Sequence, residues 1–102
     1  MTPGERSGDR QRLAVSGDLD LGSALRLEMA IDATADAGVR HVGIDLGRTT
    51  FLDSTGLAAI MEGRRRLTDR GGSLVVTDAG PNVLRVLQLT GLDGVLLAPG
   101  AR

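Results

Sequence analysis

The chain has 102 residues, which is one domain with room for a core. Twelve Lys+Arg against 13 Asp+Glu leave a net charge of -1, so there is no basic footprint for nucleic acid. All twelve cations are arginines, cysteine is absent and His41 is the sole histidine, which excludes a phosphate-loop lysine, a thiolate nucleophile and a cluster of histidine metal ligands.

Residues 1–10 place Pro3, Gly4 and Gly8 among charges without periodicity and read as a flexible or poorly ordered segment. The opening MTPGERSGDRQR has no apolar signal-peptide run, and no stretch of about 20 apolar residues follows. A cytoplasmic chain with no membrane segment is therefore expected. From Gln11, Leu13 and Val15 alternate with Arg12 and Ala14, a strand closed by Ser16-Gly17. A helix is predicted from about Leu21 to Ala37, because Ala24, Leu27, Ile31 and Ala35 recur at spacings of three and four. Gly38 stops it.

Val39 to Leu46 predicts a second strand, with Val42, Ile44 and Leu46 on one face. Gly47 to Asp53 reads as a loop that holds Phe51, the one aromatic residue. A second helix follows from about Ser54 to Arg70, with Leu57, Ile60, Met61 and Leu67 as its apolar stripe. Leu74-Val75-Val76 is a continuous apolar run, the pattern of a strand covered on both faces. Asp78 is placed to cap a third helix with Pro81 in its first turn, and Gly91 ends it. Val95-Leu96-Leu97 reads as a last short strand. Alternating strands and helices with short connections predict an α/β fold with mostly parallel neighbours and right-handed crossovers.

The informative segment is Phe51-Leu52-Asp53-Ser54-Thr55-Gly56-Leu57. It delivers Asp-Ser-Thr to a helix start, where Asp53 or Ser54 is a natural N-cap for the free N–H groups. Around it stand Ser16-Gly17-Asp18-Leu19-Asp20, Val42-Gly43-Ile44-Asp45-Leu46-Gly47, Gly71-Gly72-Ser73-Leu74-Val75-Val76 and Leu89-Thr90-Gly91-Leu92. In this order and spacing, from Leu13 to Leu97, the chain resembles a STAS domain. More narrowly, it resembles the anti-sigma factor antagonists.

The resemblance implies a single STAS domain over 11–102, with a mixed, mostly parallel sheet of four to five strands and three or more helices. It implies that Ser54 is phosphorylated by an anti-sigma factor that is itself a serine kinase. The unphosphorylated form binds that kinase and frees the sigma factor; a serine phosphatase resets the phosphorylated form. Asp20, Asp53, Ser54, Thr55 and Gly56 would form the partner-binding end. Thr55 stands where relatives often carry serine and is a minor rival acceptor. The family usually has an additional N-terminal strand, for which only the polar residues 1–10 are available here, so that strand is expected to be short, absent or formed by unlikely residues. No cofactor, no metal, no nucleic acid and no membrane partner are implied, and the chain is expected as a monomer or weak homodimer. Two other readings remain. One is a solo STAS subunit of a lipid-transport or stressosome-like assembly without phosphorylation switching. The other is a nucleotide-binding protein, which no phosphate loop supports.

The remaining polar groups have plain readings. Ser54 as a nucleophile needs a general base, and His41 reads as a surface residue at the start of its strand. Arg64-Arg65-Arg66 reads as the wet face of a helix, and Asp18 with Asp20 as a loop and cap, not a cation site.

Overall fold

A computed structural model describes residues 1–99. Strand β1 (Thr2–Ser7) is followed by β2 (Arg10–Leu19), helix α1 (Leu21–Asp36), β3 (His41–Leu52), α2 (Ser54–Asp69), β4 (Ser73–Ala79), α3 (Pro81–Leu89) and the single turn α4 (Asp93–Leu96). The four strands lie in sequence order in one sheet. The β1–β2 pair is antiparallel, while β2–β3 and β3–β4 are parallel. The α/β architecture inferred from alternating elements is the one observed, with a sheet of four strands.

Apolar periodicity builds the core. Leu13 and Val15 of β2, Val42, Ile44 and Leu46 of β3, and Leu74 and Val76 of β4 are alternate residues, all buried. Leu27 and Ile31 of α1, Ile60 and Leu67 of α2, and Val83 and Leu87 of α3 meet them. The opposite sheet face is open. Arg10, Arg12, His41, Ser73, Val75 and Thr77 line a groove of about 520 Å³ there. This corrects the reading of Leu74-Val75-Val76 as doubly covered: Val75 is only half-buried, and the burial along β4 alternates.

Four more expectations are corrected. Thr2–Ser7 forms β1, where the sequence reads as a loose end. Every side chain of β1 is exposed, so no apolar alternation marks it. Its strand pairing is made by the backbone, with Ser7 opposite Arg10 and Gly8 at φ 61 in the two-residue turn between them. Gly47–Leu52 is the end of β3 and not a loop. The β2–β3 register shifts between Ala14 and Ser16, so the apolar period breaks while the ladder goes on. Buried Thr49 helps to bridge the irregularity by donating its hydroxyl to Val15 O at 2.9 Å.

The cap of α3 is Gly80, with Pro81 in the first turn; Asp78 lies within β4 and makes no cap. Val95-Leu96-Leu97 is not a strand. Val95 and Leu96 belong to α4, and Leu97 makes one parallel bridge to Val76.

Helices α1 and α2 run side by side, because each leaves the C-terminal end of neighbouring parallel strands. Ion pairs Arg66–Asp32 and Arg70–Asp36 join them, each spanning 34 residues. Arg65 pairs along its own helix with Glu62 and Asp69. The arginine run is thus a charged helix face, with Arg66 reaching across to α1.

Candidate functional site

The site is the edge of the sheet where β2 and β3 end together. Leu19 stands opposite Leu52 in the register, and the Asp53 amide donates to Leu19 O at 3.3 Å. Each strand then turns into a helix through an aspartate. Asp20 caps α1, and Asp53 caps α2. The structure therefore brings Asp20, Asp53, Ser54 and Thr55, which are 33 or more residues apart across the two segments, to one end of the molecule.

Asp20 is tied into its own helix. Its Oδ1 accepts from Gly22 N at 3.1 Å and Ser23 N at 3.2 Å, while Ser23 Oγ accepts from Asp20 N at 2.9 Å. This reciprocal box satisfies orphan donors at the helix start. Asp53 does the same more simply. Its Oδ1 accepts from Gly56 N at 2.9 Å and from the Thr55 hydroxyl at 2.6 Å. The Thr55 hydroxyl, and then the Gly56 amide, hold the Asp53 carboxyl below its usual range. It stays an anion beside Ser54.

The two hydroxyls differ. Thr55 spends its proton on Asp53. Ser54 is the first residue of α2, is exposed, and has no side-chain hydrogen-bond partner among the described residues. Ser54 is the hydroxyl that a partner can reach and that nothing in the fold holds back.

Gly56 is in a different position. It is buried, and a Cβ there would collide with Leu19 O while also meeting Leu19 Cγ at 2.9 Å and Leu52 Cδ1 at 3.0 Å. The glycine lets α2 close onto the ends of β2 and β3. His41 is at the other end of β3, with Nδ1 2.8 Å from Ser73 Oγ and Nε2 3.9 Å from Asp9. It cannot serve Ser54 as a base.

Two features of this end escape a motif reading. Phe51 pairs with Asp18 across β2–β3 and is 51% exposed. Leu21, directly after the Asp20 cap, is 74% exposed. The signal was available in the residue types, but only the fold shows that both are uncovered.

The profile of the family described as "Mlab, STAS domain" matches residues 4–98. The chain is 32% identical over 83 residues to the anti-sigma F factor antagonist of Paenibacillus polymyxa, covering 80% of this chain and 71% of that one. It is 26% identical over 92 residues to the anti-sigma-B factor antagonist of Listeria monocytogenes, covering 90% and 81%. Among solved structures, an anti-sigma factor antagonist from Mycobacterium paratuberculosis matches with a TM-score of 0.79 at 30% identity, over 96% of this chain and 86% of that one. Unphosphorylated SpoIIAA, an anti-sigma factor antagonist, has the same fold, with a TM-score of 0.82 at 20% identity over 94% and 84%. The chain belongs to the STAS domain family, and within it to the anti-sigma factor antagonists. Among the described residues, no helix is long and apolar enough to cross a membrane.

Proposed function

We propose that this chain is a phosphorylation-switched partner in the cytoplasm. Its unphosphorylated form binds an anti-sigma factor that is a serine kinase and so releases the sigma factor. Transfer of a phosphoryl group to Ser54 Oγ turns that binding off, and a serine phosphatase restores the hydroxyl. The chain is on this reading a kinase substrate and not an enzyme.

The observation that carries the reading is the exposed, unpartnered Ser54 hydroxyl at the start of α2, beside a Thr55 hydroxyl already committed to Asp53. Physical chemistry supports a switch at this place. A phosphate brings about -1.5 to -2 charge at pH 7. At a helix N-terminus it meets free N–H groups and the positive dipole end, so the domain tolerates it. The penalty falls on the interface, where the group must be desolvated near the Asp53 and Asp20 carboxylates. SpoIIAA has been solved in phosphorylated form too, and this chain's fold matches that form with a TM-score of 0.77.

The test is intact-mass analysis after incubation with Mg-ATP and anti-sigma factor kinases, with Ser54→Ala alongside. One phosphoryl group on the wild type and none on the variant is the expected result. No addition by active kinases overturns the switch. Function then moves to a constitutive subunit of a lipid-transport or stressosome-like assembly. Co-purification with an ATPase and membrane proteins would mark that case.

A further inference from the structure

Helix α1 carries an apolar line that the core does not use. Leu21, Leu25 and Met29 recur at every fourth residue and are 74%, 60% and 63% exposed. Scattered exposed hydrophobics need no explanation, but a contiguous patch usually marks an interaction site. The residues that α1 buries are others: Ser23, Ala24, Leu27 and Ile31.

The position of the line follows from helix geometry. Leu21, Leu25 and Met29 stand one heptad before Glu28, Asp32 and Asp36, and a heptad returns to within about 20° of the same flank. Asp32 and Asp36 bond Arg66 and Arg70, so that flank looks toward α2. Both pairs are offset by 34 residues. Carried back along two helices that run in the same direction, this offset sets Leu21 level with Thr55 and Leu25 level with Ala59. In the C-terminal half of α1 the flank is covered by arginines of α2. In the N-terminal half the residues of α2 level with the two leucines are Thr55 and Ala59, whose side chains are too short to cover them. The apolar line therefore begins beside Ser54 and runs away from it.

Resting on the function proposed above, we infer that this line seats apolar side chains of the same anti-sigma factor kinase that modifies Ser54. Two observations point to that occupant. The line starts at Leu21, directly after the Asp20 cap, and so at the end of the molecule that carries Ser54. It is also too small to stand alone. Three side chains present on the order of a few hundred Å², short of the ~800 Å² per partner of a standard interface. A second copy docked by this line alone buries too little for a stable dimer. A partner covering the line together with the Ser54 end reaches the required area. The two regions then divide the work: the apolar line supplies contact that phosphorylation does not alter, and Ser54 supplies the gate.

The experiment is calorimetry, in ADP, between the purified kinase that phosphorylates Ser54 and four forms of the chain: wild type, Ser54→Asp, Leu25→Glu/Met29→Glu and Leu89→Glu. Leu89 is 76% exposed and lies on α3, so its variant controls for the loss of any surface hydrophobic. The stripe variant is expected to raise Kd tenfold or more, and Leu89→Glu to leave it within twofold. A Leu25→Gln/Met29→Gln variant, which adds no charge, should weaken binding at least threefold with unchanged circular dichroism. If Ser54→Asp weakens binding and both stripe variants bind as wild type, the inference falls and the switch stands. If no kinase modifies Ser54, or Ser54→Asp binds as wild type, the switch itself fails and the inference with it. A wild-type dimer in sedimentation that the stripe variant splits would assign the line to self-contact and overturn the inference.

Discussion

The amide of Asp53 donates to the carbonyl of Leu19 at 3.3 Å, and this bond ties the start of α2 to the end of β2. Two chain segments that are far apart in sequence thereby present their caps on one surface. Ser54 follows directly, with its hydroxyl facing outward and its neighbours fixed. A switch residue on such a frame changes what the surface offers without changing how the frame is held.

Phosphorylated chain is accordingly expected to keep its fold. Amide chemical shifts should move for residues 17–22 and 50–58 and stay still elsewhere in the sheet. Binding to the kinase should weaken about a hundredfold, equivalent to roughly 3 kcal/mol. A Ser54→Asp variant should fall between the two states, because it carries less charge. Shifts spread across β4 and α3 would show refolding and contradict a switch confined to the surface.

Asp53 makes the α2 cap dependent on pH. Its carboxyl is held below the ordinary value of 3.8, first by the Thr55 hydroxyl and then by the Gly56 amide. A carboxyl lowered in the folded state stabilises the fold above the unfolded value, and the benefit is lost as pH falls through the folded one. Asp53→Asn should therefore lower Tm at pH 7 and converge on the wild type as pH falls through the lowered carboxyl value. A Tm difference that stays constant from pH 7 to pH 2.5 would contradict this account. Thr55→Val removes the larger of the two supports and should shrink the same difference.

Gly56→Ala tests the close approach of α2 to the sheet. Alanine is the better helix former by about 0.8–1.0 kcal/mol. Against that, its Cβ would run into Leu19 O and press on Leu19 Cγ and Leu52 Cδ1. Overpacking of this kind costs about 1–3 kcal/mol, and a clash with backbone cannot be relieved by a rotamer change. A net loss of stability in urea is expected, with Ser54 moved from its place. A variant as stable as the wild type would show that α2 does not sit this tightly.

Thr49→Val keeps the shape of a buried side chain and removes its hydroxyl bond to Val15 O. The site is where the β2–β3 register shifts, so the carbonyl has no regular ladder position to fall back on. A loss of about 1–3 kcal/mol follows from one buried unsatisfied group. Urea denaturation reads it directly, and an unchanged midpoint would place water or another donor at Val15 O.

How much was legible in the sequence depended on whether apolar residues did the building. Leu13 and Val15, Val42 to Leu46, and the stripe of Ile60 and Leu67 announced their elements because burial imposes a period. The site was legible for a related reason: Asp53-Ser54-Thr55-Gly56 is a capping pattern before it is anything else. The misses fall where backbone bonds work without such a pattern. β1 buries no side chain, the last third of β3 crosses a register shift, and Gly80 caps α3 with no side chain at all. Gly56 was legible as part of the motif, but its burial under Leu19 was not, since a contact between segments has no local signature. The exposure of Leu21, Leu25 and Met29 was hidden in the same way: the spacing is helical, and only the placement of α2 shows that the line is uncovered.

An open sheet has two rims, and each rim is an invitation to a neighbouring chain. Here both are blunted at little cost in core residues. On one side β1 brings Pro3, the charges Glu5 and Arg6 and an irregularity between Pro3 and Arg6, so the ladder it shows to solvent is short and broken. On the other, Leu97 lies along Val76, and the Ala98 amide takes up Val76 O at 2.9 Å. A strand that contributes nothing to the interior thus acts as a guard: stripped of residues 1–8, the same interior would carry the long bare rim of β2, and solubility, not folding, would be the first property lost.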